Sequence, residues 1–223
     1  MPPDAVPRRF RLIVFDWDGT LVDSTSIIAR ALQAACRDVG EPMPEDARAT
    51  YVIGLGLADA LAHVAPALAR ERHAELADRY RSHYLGAEGN IPLFGGAADL
   101  LAELVAAGFM LAVATGKTRK GLDRALAQHG VGHLFAATRC SDEDAPKPDP
   151  AMLLHLMRRL GVTPDETLIV GDTTHDLELA ARAGANAVAV AYGAHAADEF
   201  ADFAPLATVH SLPELARWLR ANA

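Results

Sequence analysis

The stretch LIVFDWDGTLVDS, Leu12 to Ser24, decides the fold. Four apolar residues, Leu12 to Phe15, are followed at once by Asp16, Trp17, Asp18 and Gly19. A short apolar run closed by polar residues and a glycine reads as a strand buried on both faces, the kind found in parallel sheets. Strand alternation puts Asp16 and Asp18 on a shared side and turns Trp17 away. Two like charges at the end of a buried strand repel each other, so that end needs something to offset them.

Beyond Ser24 the period changes. Ile28, Ala31, Leu32, Ala35, Cys36 and Val39 recur at helical spacing, and Gly40 supplies a stop. Residues 46–85 read as helical almost throughout, with breaks at Ile53-Gly54-Leu55-Gly56 and at Pro66, and no strand is expected between Asp23 and Asn90. After Asn90 strands and helices alternate. Strands are expected at Met110 to Ala114, Phe135 to Thr138, Thr167 to Val170 and Ala187 to Val190. Helices are expected at Ala97 to Ala107, Lys120 to His129, Pro150 to Leu160 with Asp149 as N-cap, Thr174 to Ala183, and Leu212 to Leu219. This alternation predicts an α/β fold, a doubly wound parallel sheet covered on both faces. The helical stretch reads as an insertion, giving a core of residues 1–22 and 92–223 and an all-helical cap of residues 23–91.

The bulk numbers narrow the function. The 223-residue chain is 51% hydrophobic and 22% charged, with a formal net charge of −8. That acidic balance offers no attraction to nucleic acid or to an anionic membrane. The dense basic run Arg8, Arg9 and Arg11 reads as a solvated tail. Cys36 and Cys140 are too few for a disulfide framework and lack metal-ligand spacing, which fits a reducing cytoplasm. MPPDAVPRRFR has no apolar core like that of a signal peptide, and no stretch is long and apolar enough to span a bilayer.

Ligands of open α/β sheets bind beyond the carboxyl ends of the strands. There the sequence places DWDGT, TGK, APKPDP and GDTTHD. Asp16, Asp18, Asp172 and Asp176 would be four carboxylates in one small space, and a hard divalent cation such as Mg²⁺ resolves their repulsion. Lys147 and the Thr115 hydroxyl suit the oxygens of a phosphate, and Gly19, Gly116 and Gly171 let backbone approach a ligand. Of two neighbouring acids, one carboxylate can attack phosphorus and the other can carry the proton.

DWDGTLVDS, TGK, KPDP and GDTTHD, in this order, resemble the four motifs of the haloacid dehalogenase superfamily, and the helical insertion resembles its C1-type cap (subfamily IA). LVDS and the IGLGL segment point to its phosphoglycolate phosphatase-like branch. The resemblance implies a Rossmann-like core and a Mg²⁺-dependent phosphatase acting on a small phosphorylated metabolite, with phosphoglycolate the leading candidate. It implies that Asp16 is the nucleophile and Asp18 the general acid/base. The metal would meet Asp16, the Asp18 main-chain carbonyl, Asp172 and, directly or through water, Asp176. Thr115 would bind phosphate and Lys147 would stabilise its charge. Thr20 would serve phosphate contacts or loop geometry, and Gly116 would offer only its backbone N–H where relatives often carry Asn.

Other readings weigh less. A sugar-phosphate mutase of the β-phosphoglucomutase type would return the phosphoryl group to a sugar; a nucleotidase, a pyrophosphatase and a non-catalytic phosphate-binding regulator rank below it. Asp18 argues against a 2-haloacid dehalogenase, whose branch lacks that acid. His175 is expected on a helix surface, and Gly54-Leu55-Gly56 as a cap loop over the site rather than a dinucleotide loop. Lys117 and Arg119 are either solvated charges or contacts for an anionic substrate. The chain is expected to be a monomer or a homodimer.

Overall fold

The apolar run forms β1 (Leu12–Phe15), buried at every residue. In the computed structural model, which describes residues 9–223, β1 lies inside a six-stranded sheet whose pairings are all parallel. The other strands are β2 (Met110–Thr115), β3 (Ala137–Cys140), β4 (Thr167–Gly171), β5 (Asn186–Val190) and β6 (Ala207–Val209). Their order is β3-β2-β1-β4-β5-β6. The order reverses at β1, so the crevice beyond β1 and β4 is the switch point at which such sheets bind ligands. Phe15 is in register with both Val113 and Val170, and the Asp16 N–H donates to Val170 O at 2.9 Å. Asp16 and Asp172 therefore leave the sheet side by side.

The alternation within β1 sorts two cores. Leu12 and Val14 pack with Met152, Leu156 and Leu179 from α7 (Ala151–Leu160) and α8 (Thr174–Ala183). Ile13 and Phe15 pack on the other face with residues of α5 (Ala97–Ala106), α6 (Arg119–His129) and α9 (Leu212–Asn222). Helix α7 starts at Ala151, and Asp149 Oδ1 accepts the Ala151 N–H at 2.9 Å.

Between β1 and β2 the chain is helical: α1 (Thr25–Asp38), α2 (Asp46–Tyr51), α3 (Leu57–Val64) and α4 (His73–Glu88). The exit and return strands of this segment touch. Val22 bridges Leu93, the Asp23 N–H donates to Pro92 O at 3.0 Å, and the Phe94 N–H donates to Leu21 O at 2.9 Å. One buried cluster runs from Ile13, Phe15 and Trp17 into Leu32, Leu61 and Leu76 of the helical segment.

Two strand readings differ from the structure. The third strand is Ala137–Cys140 rather than Phe135 to Thr138, because Gly132–Leu134 form a 3₁₀ turn and the ladder with β2 begins at Ala137. Strand β6 was not expected at all; it is three residues long, lies at the sheet edge and owes its strand geometry to pairing with β5. Of the basic run, Arg8 lies outside the described residues, Arg9 donates to Asn186 Oδ1 at 3.2 Å, and Arg11 pairs with Glu166 at 3.2 Å. Cys36 and Cys140 are free and buried. Among the described residues no helix is long and apolar enough to cross a membrane.

Candidate active site

Asp16 follows β1 directly, and Asp172 follows β4. With Asp176, near the start of α8, they form a buried group in which one carboxylate oxygen from each lies within 4.8 Å of the others. Asp176 is held there by a capping box. Thr173 Oγ1 donates to Asp176 Oδ2 at 2.7 Å and accepts the Asp176 N–H at 3.3 Å. Thr20 Oγ1 donates to Asp172 Oδ1 at 2.8 Å, and the Ala194 N–H donates to Asp172 Oδ2 at 2.8 Å. Gly19, at φ +78°, passes so close that a Cβ there would collide with the Asp172 carboxylate.

Lys147 completes the group. Its Nζ is 2.7 Å from Asp16 Oδ1 and 2.6 Å from Asp176 Oδ1, and the residue is fully buried. Burial opposes the ammonium charge, but Asp16 and Asp176 outweigh it and hold the Lys147 pKa up. Burial pushes Asp16 up to about 7, against the pull of Lys147. Burial, with the charges of Asp16 and Asp176 beside it, also pushes Asp172 well above the usual carboxylate range. Despite the ion pair, neither Asp16 oxygen receives an aligned hydrogen bond. One lysine thus stands against three acids, and beyond that ion pair Asp16 Oδ2 has no partner. That donor set, all carboxylate oxygen and short of positive charge, fits a hard divalent cation.

Asp18 has different surroundings. Ser24 Oγ donates to its Oδ1 at 2.7 Å, and Lys117 Nζ lies 3.1 Å from its Oδ2. Lys117 also donates to the Tyr84 hydroxyl at 2.7 Å and stands over that ring. Burial, with Asp18 and Glu88 nearby, pushes the Tyr84 phenol up, so it stays protonated. The Asp18 side chain is therefore outside the acidic group and faces a cavity of about 360 Å³. Asp16, Asp18 and Thr115 line that cavity together with Val52, Leu57 and Tyr84 of the helical segment.

Thr115 ends β2, and its Oγ1 accepts the Lys117 N–H at 3.2 Å, which leaves its own O–H to be donated. A Cβ at Gly116 would run into the carbonyl oxygens of Leu55 and Gly54, the latter at 2.7 Å. The Gly54-Leu55 backbone thus occupies the space a side chain at 116 would need. Trp17 is buried against Phe135 and His129.

The structure places three polar side chains that the sequence reading misassigned or left open. His175 is not a surface histidine; it is 5% exposed, because Tyr51 at the end of α2 packs edge-on against it. Lys117 is not solvated but paired with Asp18. Arg119 turns from the site to Glu143, Asp123 and Thr138. Sequence reasoning also missed Ser24, read only as part of the LVDS segment, and the Tyr192–His195 loop after β5. In that loop Tyr192 OH donates to Thr20 O at 3.1 Å, a contact made across 172 residues with no local signal.

The chain matches the family described as haloacid dehalogenase-like hydrolase over residues 13–190. It is 34% identical over 210 residues to the probable phosphatase IndB of Dickeya dadantii, covering 92% of this chain and 91% of that one. It is equally 34% identical over 207 residues to a phosphoglycolate phosphatase of Aliivibrio fischeri, covering 87% and 90%. The crystal structure of a predicted phosphoglycolate phosphatase from Haemophilus somnus shares its fold at a TM-score of 0.80 and 27% identity, over 94% of this chain and 97% of that one. This protein belongs to the haloacid dehalogenase-like hydrolase family.

Proposed function

We propose that this phosphoric monoester hydrolase is a Mg²⁺-dependent phosphatase of small phosphomonoesters, with phosphoglycolate the leading candidate from its relatives. Residues 23–91 act as a cap over a core of residues 1–22 and 92–223. One observation carries the reading: Asp16 is buried beside Lys147, with both carboxylate oxygens free of aligned hydrogen bonds. Mg²⁺ would be held by Asp16, the Asp18 main-chain carbonyl, Asp172 and Asp176, and when bound it would offset phosphoryl and carboxylate charge.

The chain's own residues divide the work. The Asp16 carboxylate attacks phosphorus as the bond to the leaving oxygen breaks, and Asp18 gives that oxygen its proton. Asp18 then takes a proton from water as the water attacks phosphorus. The Asp16–phosphorus bond breaks, phosphate leaves and Asp16 is restored. Thr115 O–H and the Gly116 N–H orient phosphoryl oxygens, and Lys147 stabilises their charge. Thr20 acts through Asp172, to which its hydroxyl is committed. The cap excludes bulk water from the cavity.

The test is hydrolysis of p-nitrophenyl phosphate, then of phosphoglycolate, nucleotides, sugar phosphates and pyrophosphate, with and without added Mg²⁺. Activity should require the metal and stop with EDTA, and Asp16→Asn should lose ~10⁴-fold in kcat. An unchanged Asp16→Asn rate would sink the mechanism. Dependence on glucose 1,6-bisphosphate would indicate a mutase. Phosphate binding without turnover would indicate a regulator.

A further inference from the structure

Away from the acidic group, two buried imidazoles converge on one carbonyl. His175 Nε2 lies 2.8 Å and His195 Nε2 lies 3.0 Å from the main-chain oxygen of Tyr51, the last residue of α2. A carbonyl oxygen has two lone pairs, so it accepts from both. The tautomer of His195 is set by its other nitrogen: Nδ1 accepts the Thr174 N–H at 3.1 Å, which leaves the proton on Nε2. The Tyr51 ring stacks on His195 at 5.3 Å and 9° and meets His175 edge-on at 5.2 Å. His195 is 3% exposed. With both Nε2 donors and His195 Nδ1 engaged, this pair is an anchorage.

What it joins is specific. Tyr51 belongs to the helical segment and leads into Val52–Leu55, part of the cavity wall. The histidines belong to the core, one next to Asp176 and one in the loop that holds Asp172. In that loop the His195 N–H donates to Asp172 O at 3.2 Å, beside the Ala194 contact to Asp172 Oδ2. Hence one short loop touches a carboxylate of the site, the first turn of α8 and the segment that covers the site.

We infer that His195, with His175 as its second arm, is a positioning residue that latches the cap over the active site through the Tyr51 carbonyl. The latch fixes Val52–Leu55 against Gly116 and over the cavity. The kinetic part of this inference rests on the phosphatase reading; its structural part does not.

Two substitutions separate the arms of His195. Asn places an acceptor where Nδ1 stands, keeping the Thr174 bond and losing the reach to Tyr51. Gln extends a donor toward the position of Nε2. Hydrogen exchange would be followed on the full chain at the Ile53, Leu55 and Ala60 amides, which all donate to backbone within this segment. His195→Asn should speed their exchange about fivefold, the effect of one net hydrogen bond, and leave β1 and β4 unchanged. His195→Gln should return exchange to within twofold of the native chain. With p-nitrophenyl phosphate and Mg²⁺, His195→Asn should raise KM about fivefold with kcat within twofold, because the backbone contacts to Asp172 remain. Unchanged exchange at 53–60 would overturn the latch, as would equal acceleration in β1 and β4 or a Gln variant no better than Asn. If His195→Asn does not fold, His175→Asn removes the other arm and is read the same way. If the protein turns over no phosphomonoester, the phosphatase reading falls and exchange alone decides the latch.

Discussion

Asp16 and Asp18 stand two residues apart in the chain and in unlike surroundings. Asp16 is buried, pairs with Lys147 through Oδ1 and leaves Oδ2 without a partner, whereas Asp18 is held by Ser24 and Lys117 at the cavity. The proposed nucleophile needs an ionised Asp16, which a cation held by the acidic group would favour against its burial. That burial also makes Asp16 a pH-dependent liability. Its folded pKa, about 7, lies above the ordinary 3.8, so ionising it costs stability. That cost is absent below about pH 4, grows as pH rises to about 7 and is then constant. In metal-free thermal melts, Asp16→Asn should gain stability relative to the native chain between pH 5 and pH 8. A flat difference would argue against a strained Asp16. Ser24→Ala should lose about 2 kcal/mol, typical of a hydrogen bond to a charged group, and lower kcat by about tenfold by freeing Asp18. Unchanged kcat would show that Ser24 does not position it. The types and order of these acids were readable in the sequence. The partners of Asp18 were not, because no local signal marks Ser24 or Lys117 as facing Asp18 until the chain folds.

At the scale of elements, the loop after β2 and the break between α2 and α3 explain each other. Gly116 is small because the Gly54-Leu55 backbone lies where its side chain would go. Gly116→Ala should push that loop away and reduce kcat/KM at least tenfold, with faster amide exchange at residues 53–57. A variant within twofold of the native enzyme would contradict the close approach. The sequence showed both glycine-bearing stretches and their likeness to motif segments, but not that one needs the other. Helices were legible because 3.6-residue periodicity and glycine stops are local signals. β6 was not, because three edge residues owe their conformation to β5. His175 was misread for a related reason: its helix has a polar first turn, and only the arrival of Tyr51 buries it.

Across the whole molecule, the helical segment and the sheet share one buried cluster, from Phe15 and Trp17 to Leu61 and Leu76. Shared burial couples the two parts, so calorimetry should show a single unfolding transition. Two separated transitions would mean that the helical segment folds independently. Mg²⁺ at a hundred times its Kd should raise stability by about 2.7 kcal/mol. The local sequence carries the parallel α/β class, the run of helices after β1, and the acids, threonine and lysine in the loops beyond the strands. These are written in local periodicity, in stop signals and in carboxylates whose mutual repulsion calls for an offsetting positive charge. Folding in three dimensions sets which acid pairs with Lys147, that Lys117 pairs with Asp18, that Gly116 yields to the Gly54-Leu55 backbone, and that two histidines meet at Tyr51. Each of these is a contact between chain segments far apart in sequence, and such contacts leave no periodic trace along the chain.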